Sequence, residues 1–509
     1  MAGDKEGSNG LEWRVTIPEG ASAKMDRLEG SVISRAWAWL AGFVVMLKLK
    51  VVSFGKRVWK IGTDDPRKVI HGLKVGIALS LVSLFYYTRP LYDGVGGASM
   101  WAIMTVVVVF EFTVGGCLYK GFNRATATLS AGALAVGIHW IASKSGDKME
   151  PVILSASVFL LASAATFSRF IPTIKTRFDY GVTIFILTYS LVAVSGYRVD
   201  ELVELAQQRM STIAIGICIC LFVCLLVRPV WAGEELRLLI VRNMEKLADS
   251  LEGCVEDYFM KDGTDDEKSS SSQKSEGYKC VLNSKASEDS QANLARWEPA
   301  HGRFGFRHPW SQYQKVGAAM RYCAYCIEAL NACINSEIQA PESMKKHLSD
   351  VCMKLSSRCS LVLKEVSNTI KDMTRSQNID LLVADMNNAV QELQSALKSL
   401  PNRLAQGTTT TTTTTTTQQQ TEASEEKKHS ISIAPTVPLM EALPLITVVS
   451  LLIEISTRIE GVVDAVDTLS SRASFEPIDD DKPGKVNPVS DPLPDTPQGR
   501  ETIKATPEV

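Results

Sequence analysis

The chain has 509 residues, 22% of them charged, and a formal net charge of −2. That balance excludes the global basic field expected of a nucleic-acid binder. A mean hydropathy of +0.04 hides a sharp division: apolar runs dominate residues 71–229, and the rest is polar and helix-patterned. Length alone sets an expectation of about three domains. Eleven cysteines do not form a disulfide framework. Cys117, Cys218, Cys220 and Cys224 lie in or beside apolar runs, and the others are scattered through charged helical sequence, as reduced thiols would be. The first 30 residues contain no apolar core of a signal peptide, so none is expected.

The stretch "AWAWLAGFVVMLKLKVVSFGKRVW" (36–59) is long enough to tempt a span assignment. Lys48 and Lys50 inside it favour an interfacial helix, whose apolar and cationic residues meet lipid headgroups. Six runs then follow as expected membrane spans: 71–89, 99–116, 125–142, 152–170, 179–196 and 211–228. Each approaches the ~20 residues needed to cross a ~30 Å hydrocarbon core. None is strandlike, and six short segments cannot close a membrane barrel, so helices are the backbone solution.

Charge near the span ends sets the orientation. Lys56, Arg57, Lys60, Arg67 and Lys68 precede the first span. Lys120 and Arg124 follow the second; Arg169, Lys175 and Arg177 follow the fourth. The alternate connectors carry Asp93, then Asp147 and Glu150, then Asp200, Glu201 and Glu204. Both termini are therefore expected in the cytosol.

Beyond Trp231, segments 232–260, 310–337, 341–373, 377–400 and 439–473 place apolar residues three and four apart with charged faces between, the pattern of packed amphipathic helices. The last begins apolar enough to suggest a seventh span, but Glu454, Arg458 and Glu460 favour a core helix of the cytosolic domain. Residues 262–276 read as a flexible loop. Ten threonines, Thr408 to Thr417, followed by three glutamines make 405–434 low-complexity sequence, and 476–509 read as disordered. The expected organisation is an N-terminal extension (1–60), a transmembrane domain (61–230), a cytosolic helical domain (231–400), a Thr/Gln linker (401–436), a final helix of that domain (437–475) and a tail (476–509).

The sequence holds no P-loop, no dinucleotide-binding glycine run and no catalytic triad. "CAYC", Cys323 to Cys326, has no partner pair and sits in helical sequence, which favours buried thiols over a metal site. His301 and His308 flank "GRFGFRHPW", where structural stacking is favoured over catalysis.

The intramembrane charges are more informative. An ionised carboxylate in hydrocarbon costs roughly 3 kcal/mol on the insertion scale. Glu111 either marks a helix end near the headgroups or balances a cation inside the bundle. Arg124 opens the third span and Arg209 precedes the sixth on the opposite side. Each is either a snorkelling interfacial arginine or one mouth of a cationic path for anions. Lys74, one turn into the first span, is a third cation that could join them.

Several stretches together resemble the plant aluminium-activated malate transporter family: "DPRKVIHGLKVGIALSLVSLFYY", "MWAIMTVVVVFEFTVG", "KGFNR", "RFIPTIKTRFDYGVTIFILTY", "RPVWAGEEL" and "WEPAHGRFGFRHPW". The resemblance covers about residues 60–400 and helix 439–473. It implies an all-α membrane protein with six transmembrane helices followed by a cytosolic helical bundle, acting as a homodimeric channel for malate and other organic or inorganic anions. It places Arg124 and Arg209 on the family's pore arginines, with Lys120 beside the first. It aligns Asp93, Asp200 and Glu204 with extracellular acids that bind regulatory Al3+ in responsive members, although the loop around Asp93 is shorter here. The host membrane is expected to be the plasma or the vacuolar membrane. No cofactor, chemical step or nucleic-acid partner is implied. Two other classes remain open on the residues: a proton-coupled efflux transporter using Glu111 as a relay, and a membrane-anchored signalling scaffold.

Overall fold

The computed structural model describes residues 32–88, 99–146, 148–196, 202–260, 274–305, 307–409 and 439–477. The chain divides into two compact units, Met1–Leu73 and Lys74–Val509. The described part of the first unit is mostly one helix, α1 (Val32–Asp64). It covers the stretch expected to lie at the interface and turns Trp37, Trp39, Phe43, Phe54 and Trp59 outward. Asp65 ends it. The Asp65 carboxylate accepts from the Arg67 amide at 3.2 Å, and Pro66 opens α2 (Pro66–Tyr87), a favoured start because proline has no amide hydrogen to leave unpaired.

In the second unit α2 continues and is followed by α3 (Ser99–Val109), α4 (Val114–Lys144), α5 (Glu150–Ser168), α6 (Pro172–Gly196) and α7 (Leu202–Leu226). Four segments here are long and apolar enough to cross a membrane: Val114–Lys144, Glu150–Ser168, Pro172–Val194 and Arg209–Leu226. With the packed C-terminal bundle they make an all-α, multi-pass membrane protein. Glu441–Arg472 passes the same test of length and apolarity, yet its Leu445, Leu452 and Ile459 lie in the core of the C-terminal bundle.

The expected second and third spans differ from the observed helices. α3 stops at Val109, so its 11 residues reach about 16 Å, roughly half the hydrocarbon thickness. α4 begins at Val114, well before the expected 125, and absorbs Lys120 and Arg124, expected between the second span and the start of the third. Thr113 is the physical reason. Its extended backbone breaks the helix, and its side chain accepts from the Gly116 amide at 3.1 Å, capping α4. The irregular backbone is tolerable at this depth because it is enclosed and bonded. Phe110 and Thr113 are buried, the Val114 amide donates to the Val230 carbonyl at 2.9 Å, and the Glu111 amide meets Cys117 Sγ at 3.1 Å.

The C-terminal bundle comprises α8 (Ala232–Phe259), α9 (Tyr278–Leu282), α10 (Lys285–Ala295), α11 (Trp310–Ile334), α12 (Glu342–Asp372), α13 (Ile379–Thr409) and α14 (Leu439–Arg472). The short helices α9 and α10 were not anticipated from the sequence. One continuous core joins Leu236, Ile240 and Leu247 of α8 to Met320 and Ile327 of α11, Leu363 of α12 and Ile459 of α14. Two-residue strands, Thr374–Arg375 and Glu476–Pro477, pair in parallel beside it. Cys323 is buried in this core and Cys326 is half-buried, with burial pushing both thiols up.

Candidate anion site in the membrane helices

α3, α4 and α7 pack through small residues. A Cβ on Gly121 would meet Ile217 Cγ2 at 3.1 Å, and one on Gly216 would meet Thr105 at 2.9 Å. Close approach of this kind is how helices associate where lipid offers no hydrophobic incentive. It also brings Arg124 of α4 and Arg209 of α7 into one helix cluster. Arg124 is only 6% exposed, and its Nε makes no hydrogen bond. The Nε of Arg209 is also buried without a partner, while its guanidinium lies 4.4 Å from the centre of the Trp101 ring on α3. That cation–π contact holds the charge without neutralising it. Thr128, one turn after Arg124 on the same face, has a buried hydroxyl with no partner. It lines a cavity of about 310 Å³ together with Gly132, Thr188, Val192, Gln207 and Arg209. A second cavity, about 410 Å³, opens beside Asn123, Thr126, Ser130 and Ser168.

The other expected cations are engaged elsewhere. Lys74 is buried, and its Nζ donates to the Arg228 carbonyl at 2.8 Å, just past the end of α7. It serves unpaired carbonyl groups at a helix C-terminus. Lys120 forms an ion pair with Glu111 and faces the Tyr180 ring. The charge that Glu111 meets is therefore Lys120 at the α3–α4 break, where both side chains are partly exposed. Asp93 and Asp200 lie outside the described residues; Glu204 falls on α7. Among the described residues no group of three His, Cys, Asp or Glu side chains could hold a metal ion.

Where the membrane helices meet the bundle, Glu298 is the central residue. Its carboxylate accepts from three amides: Gly115 at 3.2 Å, Ala232 at 2.5 Å and Gly233 at 3.1 Å. These belong to the first turns of α4 and α8, where unpaired amides and the helix dipole favour an anion. Burial pushes the carboxyl pKa up, while the three amides and nearby His301 hold it down. Trp297 packs its ring 5.7 Å from Tyr119 and 5.3 Å from Phe122 on α4. His301 stacks on Trp231 at 3.7 Å, as expected of a structural histidine. The role of Glu298 was missed in the sequence, where Trp-Glu-Pro served only as a marker of resemblance. Trp101 was likewise passed over as part of an apolar run.

Four apolar helices of membrane length above a packed helical bundle define a multi-pass membrane protein. A family model described as "Aluminium activated malate transporter" matches residues 59–438 and 403–470. Aluminum-activated malate transporter 10 of Arabidopsis thaliana is 50% identical over 499 residues, covering 95% of this chain and 98% of that protein. Aluminum-activated malate transporter 2 of the same plant is 43% identical over 440 residues, covering 86% and 80%. Aluminum-activated malate transporter 1 of Triticum aestivum is 40% identical over 459 residues, covering 88% and 92%. The chain belongs to the aluminium-activated malate transporter family, whose members are transporters and not enzymes.

Proposed function

We propose that the protein conducts malate and related organic or inorganic anions across a plant plasma or vacuolar membrane, through a path lined by Arg124 and Arg209. The observation that carries this reading is buried Arg124 and half-buried Arg209, each with a buried Nε that lacks a hydrogen-bond partner among the described residues. Leaving a buried donor and a buried charge unsatisfied is costly unless a ligand supplies the acceptor. A mobile anion does so, and two separated arginines can replace part of its hydration shell in succession. The pairing of Glu111 with Lys120 supports a counter-charge over a proton relay.

In this reading the membrane domain (61–230) crosses six times, α2 and α3 supplying the first two passages, and the chain acts as a homodimer. The bundle (231–400 with 437–475) is cytosolic. Its contacts support that side: Asn293 Nδ2 donates to the Thr176 carbonyl at 3.0 Å, next to Lys175 and Arg177, residues of the kind retained in the cytosol. External Al3+ would act through Asp93, Asp200 and Glu204. Voltage clamp with malate, chloride, nitrate and sulfate on each side tests the reading. Anion-carried current with a reversal potential that follows the malate gradient is expected; a current that follows only the proton gradient would reject it.

A further inference from the structure

Cys117 and Cys224 are fully buried, and their Sγ atoms lie 3.8 Å apart across the contact between α4 and α7. Both are free thiols. A disulfide holds its sulfurs at about 2 Å, so closing the pair asks for about 2 Å of approach, which side-chain rotation with a small helix adjustment supplies. The surroundings suit sulfur chemistry. The Glu111 amide donates to Cys117 Sγ at 3.1 Å, and an N–H aimed at sulfur steadies the negative charge of an attacking thiolate. Cys117 stands in the first turn of α4, directly after the irregular break, where the Glu111 and Lys120 side chains are 38% and 28% exposed. The break is thus open to a small water-borne oxidant.

We propose that Cys117 and Cys224 form a redox-active dithiol, which a peroxide oxidises to a disulfide that locks α4 against α7. The Cys117 thiolate attacks one oxygen of hydrogen peroxide. The O–O bond breaks, and the departing hydroxide takes up the thiol proton and leaves as water. Cys224 then attacks the sulfenic acid formed on Cys117. The S–S bond forms, the S–O bond breaks, and the Cys224 proton leaves with the hydroxyl as a second water. Two thiols are oxidised and one peroxide is reduced to two waters; a dithiol reductant reverses the bond by thiol–disulfide exchange. The lock matters because of what the two helices carry. α4 and α7 already touch at Gly121, where a Cβ would lie 3.1 Å from Ile217 Cγ2, and Arg124 follows three residues later. Drawing the sulfurs into a bond takes the remaining play out of the helix pair that bears Arg124 and Arg209.

Two measurements on the full-length protein test this, and only the second rests on the conduction reading. Protein in lipid nanodiscs is treated with hydrogen peroxide, unfolded, alkylated at its remaining free thiols and digested. Mass spectra should show one linked pair of peptides holding Cys117 and Cys224, lacking the two thiol hydrogens and split by dithiothreitol. Cys220→Ser should still give that pair, because Cys220 Sγ faces the Val106 carbonyl at 4.0 Å. Cys117→Ser and Cys224→Ser, each shown to be folded by the melting of its bundle, should not. Recovery of the two wild-type cysteines unlinked, whether alkylated or singly oxidised, would overturn the dithiol. In planar bilayers peroxide should lower the wild-type anion current about fivefold or more, the low end of couplings between sites, with recovery in dithiothreitol. The Cys117→Ser current should not respond. A linked pair with unchanged current, or an equal fall in Cys117→Ser, would overturn the lock. Should the untreated wild type pass no anion current, the conduction reading and the effect of the lock on current fall together; the peptide analysis still decides whether the dithiol exists.

Discussion

The C-terminal bundle and the arginine cluster of the membrane helices treat charge in different ways. In the bundle, Glu288 is buried but fully served: Arg321 Nη1 donates to both carboxylate oxygens at 2.9 and 2.8 Å, and Ser284 Oγ donates at 2.6 Å. Large aliphatic side chains of four long helices close around a single core. In the membrane region the cores are small, exemplified by Ala131, Ala135, Tyr189, Val192 and Ala193, and the outer faces display Phe159, Phe167 and Phe170. There the guanidinium Nε atoms of Arg124 and Arg209 have no partner. The bundle is arranged for stability. The arginine cluster carries the cost of two buried donors left without a hydrogen-bond acceptor.

Breaking the bundle's charge pair should give the largest effect on stability. Glu288→Ala strands the Arg321 guanidinium in the interior, and removing one partner of such a pair costs about 3–5 kcal/mol. Thermal denaturation of detergent-solubilised protein should show the bundle melting well below the wild type.

Acid should act on the bundle next. Burial among Phe304, Trp310 and Tyr313 lowers the His308 pKa from its usual 6.5 to about 4. The folded state therefore prefers the neutral ring. Its contribution is fully present above pH 6.5 and is lost as pH falls towards 4, reaching about 3 kcal/mol. Denaturant midpoints measured across that window should fall with acid in the wild type and fall less in His308→Gln.

The same experiment applied to the membrane region should reverse sign. Arg124→Gln removes a buried charge that lacks a partner, so the melting temperature should hold or rise while malate current drops. Loss of stability comparable to Glu288→Ala would show that Arg124 has a structural partner after all. A finer test is Trp101→Leu, which withdraws an aromatic face worth about 1 kcal/mol from Arg209. Malate should then bind several-fold differently, read as a shift in the concentration giving half-maximal current, with little change in melting. Least of all should change on deleting 405–434, the low-complexity stretch with its ten threonines. Loop length alters closure entropy by only about 0.6 kcal/mol per doubling, so melting and basal current should both survive.

What could be read from the sequence follows the same division. The bundle helices were legible because an amphipathic pattern reports burial directly, and α8, α12 and α14 begin and end within a few residues of their expected limits. α9 and α10 are short and rich in polar residues, so periodicity gave no signal. The α3–α4 break was invisible because 99–116 is apolar throughout apart from Glu111; only the Thr113 cap and the two glycines after it mark it. Arg124 and Arg209 could be singled out as cations in the wrong solvent. The partnership of Lys120 with Glu111, the service of Lys74 at the end of α7, and the three amides on Glu298 are long-range or backbone contacts. No local pattern encodes them.

The central claim is that Arg124 and Arg209 carry the anion. Its most direct test is the malate current of Arg124→Glu and Arg209→Glu, each purified, shown to be folded by the melting of its bundle, and reconstituted at equal protein density. Both reversals should abolish nearly all current, and Arg→Lys at either position should retain part of it because charge survives although the planar fork is lost. Malate conductance equal to wild type in either charge-reversed protein would contradict the account.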